Sequence, residues 1–574
     1  MASIKRCQRN PTPAFKLLSA VLIISFYGIY LLIHGSPLAP APETESHTPR
    51  GPQIQHQPWT GASGRADEEK AARVKEAMEY TFAKYKKHAW GYDDILPVSG
   101  GKKNTRNGWG AFIVDSASTL ALMGMWDELN MSVERILQIP FYDAQGLVDP
   151  FETTIRYVGG LVSLVDLIDA GVVPKTVING KQRAGILAQA ITLSDKLGPG
   201  FDSPTGMIYP RVDFTNDVGT GDPPELYKKY PDKIRYKNPS IGPARAGSNI
   251  LEYRTLTRQS GNPIYFANAT NAWAPLVWDK WVEDPVGLVS APIDILTGEP
   301  VGRQRHWDAG HDSYYEYLIK AAILAPHDRY TSTYTDRWTQ AAHALRHDLS
   351  TRSSYSSGYN PQHLFMGKLD GGWYLNEQSH LACFAPGNLL LGGAYLEKPD
   401  LMVLGKALLD GCRHTYASTP TRIGPERFSW IPYAGLPNAT FEPRTGRQRA
   451  ELAAHGFWVA DAKFRLRPEY VESLFYAWRI TGEQRYRDWA WDAFVAFEKH
   501  CRTAYGFAAI RDVGVDVASG KKVVHLDEAE SFWAAETLKY LYLTFADVNV
   551  GTLDAWVFST EGHPFRIIRT ADAR

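Results

Sequence analysis

Carboxylate side chains recur inside apolar, aromatic stretches of this 574-residue chain, in six short motifs across its last three quarters. A single glutamate in such a run is usually paired, or reaches water along the apolar surface. Six such segments indicate helices that converge and point their acids at one central pocket. Clustered carboxylates perform acid/base chemistry or hold a hard cation. The motifs are FETTIRYVGG (151–160), LEYRTLTRQSG (251–261), DSYYEYLIK (312–320), LRPEYVES (466–473), AESFWAAETLKY (529–540) and FSTEGHP (558–564).

The elements that would position these motifs are helices. From about residue 67 onward amphipathic runs recur, as at 313–324, 472–480 and 486–500, while long alternating strand patterns are scarce. This rhythm predicts an all-α fold, a closed toroid of paired helices, rather than a sandwich or a doubly wound sheet. The chain carries neither glycine-rich phosphate-binding motif, so no nucleotide cofactor is expected.

Bulk composition limits the classes of partner. Lys+Arg and Asp+Glu both number 62, which gives a formal net charge of +0. Nucleic acid is therefore not expected as the main partner, because phosphate binding needs a basic excess. The chain is rich in aromatic residues, with Trp 17 and Tyr 30, which suits the binding of sugar rings as well as an ordinary core.

The N-terminus predicts a membrane anchor. Residues 17–34 contain an uncharged apolar stretch long enough to span a bilayer as a helix. Basic residues precede it and none follows before Arg50, so the positive-inside rule predicts a cytosolic tail (1–16) and a lumenal remainder, as in a single-pass type II protein of the ER or Golgi membrane. A cleaved signal peptide is the alternative. Residues 35–66, rich in Pro and Gly, read as a flexible stem, and 67–574 as the folded domain.

Four cysteines, Cys7, Cys383, Cys412 and Cys501, show no spacing typical of a zinc site. Cys7 precedes the apolar segment, so we expect it in a different compartment from the other three. One disulfide and one buried thiol is the simplest arrangement for those three.

The ordered motifs resemble glycoside hydrolase family 47, the class I α-1,2-mannosidases, over about residues 65 to 568. The resemblance implies an (α/α)7 barrel that releases terminal α-1,2-linked mannose from high-mannose N-glycans with inversion and uses Ca²⁺. A second hypothesis is a mannosidase-like lectin of ER quality control with weak or no hydrolysis. A third is a calcium-independent toroid glycosidase. Besides all six motifs, the matching segments are GWGAFIVDSASTLALMGMWDEL (108–129), FDSPTGMIYP (201–210), HLACFAPGNLLLGGAYL (380–396) and GPERFSW (424–430).

The resemblance implies roles for individual residues. Glu152 resembles the general acid, Asp312 a second acid to which that role is also assigned, and Glu469 the base that activates water; an inverting glycosidase needs such a pair of carboxyl groups. Thr560 resembles the residue that binds Ca²⁺ through its carbonyl and hydroxyl oxygens. Further residues resemble pocket and substrate-binding positions: Arg156, Glu252, His380, Arg467, Glu472, Glu530 and Glu561.

Several of these residues also have a purely structural interpretation. Glu152 and Arg156 are four residues apart and could form a helical ion pair. Asp312 could cap a helix. Glu469 follows a proline, as in an ordinary first helical turn. His380 could be a hydrogen-bonded core residue.

Arg467 could bind a sugar hydroxyl or neutralise the neighbouring carboxylate. The resemblance also pairs Cys383 with Cys412 and leaves Cys501 free. The chain departs from the family pattern without losing a proposed catalytic group, which indicates a divergent paralogue with altered substrate choice. The departures are Ser118, where the opening motif has its second acid, Ile208, Tyr470 and Gly562.

Overall fold

The structure is a computed structural model of the chain, which describes residues 53–59, 64–229, 235–278, 283, 285–354, 362–433 and 440–569. The predicted cytosolic tail and anchor lie outside these residues. Among the residues described, no helix is both long and apolar enough to cross a membrane.

Helices are the main regular secondary structure of the described domain. In chain order they are α1 (Glu68–His88), α2 (Ala111–Leu122), α3 (Trp126–Ile136), α4 (Pro150–Thr153), α5 (Gly159–Asp169), α6 (Gly180–Leu197), α7 (Pro224–Lys229), α8 (Pro243–Gly247), α9 (Ile250–Ser260), α10 (Ile264–Val277), α11 (Asp312–Leu324), α12 (Thr331–Ala344), α13 (Ala385–Tyr395), α14 (Pro399–Ser418), α15 (Gly446–His455), α16 (Glu469–Thr481), α17 (Gln484–Cys501) and α18 (Leu538–Phe545).

The helices form a double ring. In the described part of the chain, seven inner segments (α2, α4–α5, α9, α11, α13, α16 and α18) each pack against the next, and α18 closes the ring on α2. Each inner segment also packs against one outer helix, in the pairs α2 with α3, α5 with α6, α9 with α10, α11 with α12, α13 with α14, α16 with α17 and α18 with α1. This is the arrangement that the helical rhythm predicts.

Burial separates the two rings. Every residue of α2 is buried, because an inner helix meets protein on both sides. The outer helix α1 buries one stripe, which includes Val74, Met78, Phe82 and Tyr85, and exposes the rest, as expected of an amphipathic surface helix. Its start is fixed by Asp67, whose side chain accepts a hydrogen bond from the Lys70 N–H at 3.2 Å.

Three π-helical turns interrupt the helices in the described residues: Thr154–Val158, Leu345–Leu349 and Trp533–Thr537. The first joins α4 to α5 and the third leads into α18, so two of them lie in the inner ring. A π-turn inserts one extra residue into a helix and is found mostly at functional sites.

Short antiparallel strands fill the loops between helices. They are β1 (Asp94–Ile95), β2 (Lys102–Lys103), β3 (Arg211–Asp213), β4 (Val218–Thr220), β5 (Ser240–Ile241), β6 (Ala291–Asp294), β7 (Pro300–Arg305), β8 (Ser350–Arg352), β9 (Leu364–Met366), β10 (Lys368–Asp370), β11 (Trp373–Leu375), β12 (Glu377–Ser379), β13 (Arg427–Ser429), β14 (Trp458–Asp461), β15 (Arg502–Thr503), β16 (Gly506–Phe507), β17 (Trp556–Phe558) and β18 (Pro564–Arg566). A five-stranded sheet has the order β11-β10-β7-β6-β5, and a three-stranded sheet the order β12-β13-β14. These strands are too short to show an alternating pattern, so the predicted all-α class describes the ring but omits them.

The β17–β18 hairpin enters the ring. Its strands pair Phe558 with Pro564, pack against α11 and α5 and bury both Phe558 and Phe565 completely. The Ser163 hydroxyl of α5 donates to the Pro564 carbonyl at 2.8 Å. The hairpin turn, residues 559–563, is therefore fixed inside the ring.

Residues 53–59 differ from the predicted flexible stem, because they pack on the domain. The N–H groups of Ile54 and Gln55 donate to Asp554 Oδ1 at 2.9 and 3.0 Å. Gln55 Oε1 in turn accepts from the buried Arg479 guanidinium at 3.1 Å. Ile54 is apolar and is buried in the core. The Pro- and Gly-rich composition of the surrounding stretch does not reveal this contact.

The predicted disulfide is confirmed. Cys383 and Cys412 are bonded, and Cys501 is free and buried. The bond ties the 3₁₀ segment His380–Phe384 to α14, and that segment carries a residue of the site described next.

Candidate active site

A cavity of about 200 Å³ inside the ring is lined by residues from five of the six acidic motifs, all except 251–261. Seven carboxyl groups and two guanidinium groups line it, and Thr560 contributes from the hairpin turn. Its acids are Glu152, Asp312, Glu316, Glu469, Glu472, Glu536 and Glu561, and its arginines are Arg156 and Arg467.

Four of these acids, including Glu472, lie in the first turn of an inner helix. Asp312 begins α11, Glu469 begins α16 and Glu152 is the third residue of α4. The unpaired N–H groups and positive dipole end of a helix favour negative charge at these positions. The ring therefore points several helix N-termini at one cavity, which helps to hold its acids.

Glu469 has the features of a general base. His380 Nδ1 donates to Glu469 Oε2 at 2.7 Å, since a carboxylate can only accept. His380 Nε2 then accepts from the Tyr416 hydroxyl at 2.7 Å. Burial raises the pKa of Glu469, but the hydrogen bond from His380 and the charge of Arg467 outweigh it and hold that pKa below its ordinary value. Glu469 is thus ionised and fixed in orientation.

Arg467 is shared between two acids. Its Nε donates to Glu426 Oε2 at 2.8 Å, while Nη1 lies 3.8 Å from Glu469 Oε1. The interpretation of Arg467 as a neutralising residue is therefore consistent with the structure. Because it also lines the cavity, its donors remain close to any bound sugar.

Asp312 has the opposite electrostatic environment. The preceding residue occupies the N-cap position of α11, so the capping interpretation of Asp312 is wrong. Its Oδ1 accepts from the Ser313 N–H at 2.9 Å. Burial raises the pKa of Asp312 more than this bond lowers it, and the charges of Asp308, Glu316 and Glu469 raise it further, to about 7. Asp312 can therefore carry a proton near neutral pH.

Glu152 is held as an anion. Its Oε2 accepts from Arg156 Nε at 2.9 Å and lies 3.4 Å from Arg106 Nε. Burial raises the pKa of Glu152, but the charges of Arg156 and Arg106 together lower it to about 2. The helical ion pair with Arg156 is therefore real. A carboxylate between two arginines is a poor proton donor, which does not fit the acid role implied for Glu152.

Arg156 connects the cavity to a buried acid behind it. Its Nη1 lies 2.7 Å from Glu561 Oε2 and 3.4 Å from Asp115 Oδ2. Burial raises the pKa of Glu561 more than Arg156 lowers it, and repulsion from Asp115 and Glu152 adds to the rise, giving a pKa of about 8. Arg156 is thus the ion-pair partner of three carboxyl groups. The cluster therefore keeps a net negative charge unless one of these carboxyl groups is protonated.

The remaining cavity acids also have too little positive charge beside them to balance their own charge. Lys320 Nζ donates to Glu316 at 2.5 Å and lies 3.7 Å from Glu472 Oε1. Burial raises the pKa of Glu472 despite Lys320, and it raises the pKa of Glu536 with further repulsion from Glu561 and Glu472. The cavity as a whole therefore favours an added positive charge.

Thr560 offers oxygen ligands beside these acids. Its N–H donates to the Tyr317 hydroxyl at 3.1 Å, whereas within the described ranges its own hydroxyl and carbonyl oxygens have no hydrogen-bond partner. No three His, Cys, Asp or Glu side chains in those ranges are grouped so as to hold an ion by themselves. A hard cation that keeps several waters would need few direct ligands. The residues present therefore fit the predicted calcium ion.

Besides His380, which contacts Glu469 from behind, two predicted pocket residues, Glu252 and Glu530, lie outside the cavity lining. Glu252 is buried behind it and accepts from the Tyr317 hydroxyl at 2.7 Å, the same hydroxyl that receives the Thr560 N–H. Glu530 pairs with Arg106 at 3.3 Å. Glu252 therefore reaches the cavity lining through Tyr317, and Glu530 reaches it through Arg106, which also pairs with Glu152.

Sequence reasoning missed Glu316, Glu536 and Arg106. Glu316 lies four residues after Asp312, on the same helical face, and this spacing could have identified it. Glu536 lies in the middle of the apolar run FWAAETL, a stronger anomaly than Glu530 at its edge. Arg106 lies in a loop without periodic pattern and left no comparable signal.

Two residues that depart from the family pattern, Ser118 and Gly562, lie close together behind the hairpin turn. Lys539 Nζ donates to Ser118 Oγ at 2.9 Å and to the Gly562 carbonyl at 2.6 Å. Ser118 Oγ also contacts His563 Nδ1 at 3.2 Å. Burial lowers the pKa of Lys539 to about 7, although the charges of Glu536, Asp115 and Glu561 raise it. This group holds the turn that presents Thr560.

The other two departures lie in packed positions. Tyr470 stacks on Tyr416 with ring centroids 4.1 Å apart, and Tyr416 is the partner of His380. Ile208 is buried in the core. Neither residue is part of the cavity lining.

Comparison with known proteins matches this geometry to a family. A family model described as "Glycosyl hydrolase family 47" matches residues 77–567. The chain belongs to glycosyl hydrolase family 47. It is therefore a glycoside hydrolase, and the resemblance of its motifs to that family is confirmed.

Relatives extend the family 47 match over nearly the whole domain. The chain is 37% identical over 510 residues to a probable mannosyl-oligosaccharide α-1,2-mannosidase 1B of Aspergillus clavatus, covering 87% of this chain and 93% of that protein. It is 35% identical over 513 residues to a mannosyl-oligosaccharide α-1,2-mannosidase of Penicillium citrinum, with 88% and 93% covered. The solved α-1,2-mannosidase of Trichoderma reesei superposes with a TM-score of 0.78 at 32% identity, covering 88% of this chain and 100% of that one.

Proposed function

We propose that this protein removes terminal α-1,2-linked mannose from high-mannose N-glycans, with inversion at the anomeric carbon and with Ca²⁺ bound at Thr560. The observation that carries the proposal is the pairing of two unlike acids in one cavity. Glu469 is held ionised by His380, while burial raises the pKa of Asp312 to about 7, so that Asp312 can carry a proton near neutral pH. An inverting glycosidase needs such a base and such an acid on opposite sides of the scissile bond.

The chemical step uses both groups at once. A water molecule gives its proton to Glu469 as its oxygen bonds to C1 of the terminal mannose. The bond from C1 to the glycosidic oxygen breaks, and that oxygen takes the proton of Asp312. The products are mannose of inverted anomeric configuration and a glycan one residue shorter. Solvent then restores the proton on Asp312 and removes the one on Glu469.

We assign the acid role to Asp312 rather than to Glu152. Arg106 and Arg156 keep Glu152 ionised, so it has no proton to give. An anion at this position instead stabilises the positive charge that develops on the sugar ring in the transition state. Arg156 stays paired with Glu152 and Glu561 and orients both carboxylates.

Calcium would be held by the hydroxyl and carbonyl oxygens of Thr560 together with waters that the surrounding carboxylates orient. When bound, such an ion acts as a template for sugar hydroxyls and offsets the negative charge of the cavity. Among this chain's own residues, Tyr317 fixes Thr560 through its backbone N–H, and Lys539 fixes the same turn through the Gly562 carbonyl.

The test is mannose release from a defined high-mannose glycan by the wild type and by Glu469→Gln. Loss of the base is expected to lower kcat by about 10²- to 10⁴-fold, while glycan binding persists. Glu79→Gln, an exposed change on α1, is the matched control and should leave kcat unchanged. A chelator should abolish release, and added calcium should restore it.

The same experiment separates the alternatives. Glycan binding by the wild type without any release would favour the lectin hypothesis. Full activity in the presence of a chelator, or of Thr560→Ala at ordinary calcium concentration, would favour a calcium-independent glycosidase. Either result contradicts the proposal.

We also propose, from the sequence, that residues 17–34 anchor the protein in the ER or Golgi membrane with the catalytic domain in the lumen. In sealed microsomes the domain should resist added protease and become sensitive when detergent is present. Release of the full-length protein by alkaline carbonate would contradict the anchor.

A further inference from the structure

A buried carboxylate outside the cavity lining contacts the segments that lead to both reacting acids. Asp308 lies in the turn between β7 and α11 and is 2% exposed. It does not line the catalytic cavity and takes no part in the proposed chemical step. Burying a charge is costly unless the charge is paired and hydrogen-bonded, so the partners of Asp308 indicate what it does.

The backbone of Asp308 fixes the start of the helix that carries the proposed proton donor. Its carbonyl accepts the His311 N–H at 3.0 Å and the Asp312 N–H at 3.2 Å. The first N–H groups of a helix have no partner within the helix, and Asp312 is the first residue of α11. The turn 308–312 therefore sets the position from which Asp312 enters the cavity.

The side chain of Asp308 holds the segment that supports the base. Its Oδ2 accepts from the Ser379 N–H at 2.9 Å, and its Oδ1 accepts from the Ser379 hydroxyl. Ser379 ends β12, and the next residue is His380, whose Nδ1 donates to Glu469. Two hydrogen bonds from one residue to one carboxylate fix both its position and its orientation, so the placement of His380 depends on Asp308.

Lys368 on β10 is the cation that contacts this carboxylate. Its Nζ lies 3.0 Å from Asp308 Oδ2, and its side chain is 18% exposed, against 4% for the aspartate. Burial raises the pKa of Asp308, but the charge of Lys368 and the hydrogen bonds from Ser379 and Ala309 outweigh it and hold that pKa well below its ordinary value. Asp308 is therefore an anion near neutral pH.

Two histidines of the same turn add no charge near neutral pH. His306 and His311 are buried, with ring centroids 4.0 Å apart. Burial lowers the pKa of both, to about 4 for His311. The charge that Asp308 presents to its surroundings is therefore set by its pair with Lys368.

Acidic charge dominates around Asp312. The charges of Asp308, Glu316 and Glu469 all favour its protonated form, and Asp308 acts from outside the cavity lining. A change to either member of the Asp308–Lys368 pair therefore alters the field at Asp312 without altering the cavity wall. The charged side chains that share the cavity with Asp312 are Glu152, Arg156, Glu316, Arg467, Glu469, Glu472, Glu536 and Glu561.

We infer that Asp308 is a positioning residue for the reaction, which fixes the helix of the acid through its carbonyl and the support of the base through its carboxylate. The inference rests on the proposed function, since it takes Asp312 as the acid and Glu469 as the base. It gives Asp308 two effects that can be measured separately. One is the alignment of the two groups, and the other is a negative charge, balanced by Lys368, that favours the protonated acid.

The experiment measures mannose release against pH by the calcium-loaded full-length protein, as wild type and as Asp308→Asn. This substitution removes the charge at nearly constant size and weakens the anchor of Ser379. At about pH 5.5, kcat should fall by about 10-fold with KM nearly unchanged. The basic limb of kcat/KM should also move to lower pH, which makes the loss about 3- to 10-fold larger at about pH 8 than at about pH 5.5.

Lys368→Gln should move the same limb in the opposite direction. It leaves the charge of Asp308 unbalanced, which favours protonated Asp312 more strongly. The ratio of kcat/KM at about pH 8 to that at about pH 5.5 should therefore rise by about 2- to 5-fold. A merely structural role could lower the activity of both variants, but it would not shift their limbs in opposite directions.

Ser379→Ala separates alignment from charge. It removes one hydrogen bond to Asp308 and no charge, so kcat should fall by roughly 3-fold while the limb stays in place. The matched controls make the same changes at exposed positions: Asp336→Asn on α12 and Lys87→Gln on α1. Both should leave the rate and the limb unchanged. If thermal unfolding shows that Asp308→Asn does not fold, the profiles of Lys368→Gln and Ser379→Ala still decide.

Every other outcome contradicts the inference. A limb that stays at its wild-type position in Lys368→Gln, or that moves in the same direction in Lys368→Gln and Asp308→Asn, would exclude the charge effect. Unchanged kcat in Ser379→Ala would exclude the alignment effect. A wild type that releases mannose without a basic limb near pH 7 would contradict the inference together with the assignment of the acid. Failure of the wild type to release any mannose would instead contradict the proposed function itself.

Discussion

The assignment of the proton donor gives the sharpest prediction. Burial raises the pKa of Asp312 from 3.8 to about 7. At pH 6 a group with that pKa is about 90% protonated, against under about 1% at its ordinary value, so the environment increases the acid form roughly 100-fold. Asp312→Asn removes this proton without changing size, and kcat should fall by about 10²- to 10⁴-fold.

The pH profile decides between Asp312 and Glu152. Activity requires Glu469 ionised and Asp312 protonated, so wild-type kcat/KM should fall as the pH rises through about 7. Asp312→Asn should abolish this basic limb, while Glu152→Gln should lower the rate and keep the limb. The assay is initial mannose release between about pH 4.5 and 9 at saturating calcium. A basic limb that survives in Asp312→Asn, or that disappears in Glu152→Gln, would refute the reasoning.

Three further predictions concern the supports of the site. Tyr416→Phe removes the donor to His380 Nε2 and should lower kcat/KM by roughly 10-fold, with an unchanged melting temperature because stacking on Tyr470 remains. Gly562 has φ +66°, a conformation that is costly for alanine. Gly562→Ala should therefore lower the free energy of unfolding, measured by urea denaturation, by about 1 kcal/mol. The same substitution should raise the calcium concentration needed for half-maximal activity. Replacing Cys383 and Cys412 by serine removes a disulfide that closes a sequence separation of 29. The free energy of unfolding should fall by about 3 kcal/mol, which lowers Tm by roughly 3 °C for a domain of this size. Equal Tm in the oxidised wild type and the double variant would contradict this prediction.

The ring could be predicted from the sequence because its helices are long. Runs such as 486–500 show the 3.6-residue period clearly, and the resemblance of the motifs fixed their order around the ring. The acids at 152, 312 and 469 lie in motifs with an acid inside an apolar run, and the resemblance to the family assigned their roles; the structure places each in the first turn of its helix.

Other parts of the site left little trace in the sequence. The π-turn at Trp533–Thr537 shifts the helical register, so periodicity could not identify Glu536 as a cavity residue. The electrostatic difference between Asp312 and Glu152 depends on Arg106, which comes from a loop far away in sequence.

The order of the helices along the chain has a consequence for biosynthesis. The first outer helix, α1, pairs with the last inner helix, α18, and the cavity floor comes from the hairpin that follows. A nascent chain therefore exposes the apolar face of α1 until α18 has left the ribosome. Folding that depends on such distant contacts is slow and prone to aggregation. A premature stop codon before α18 would remove both Thr560 and the helix on which α1 packs. The product would be a substrate for chaperones and degradation rather than a weakened enzyme.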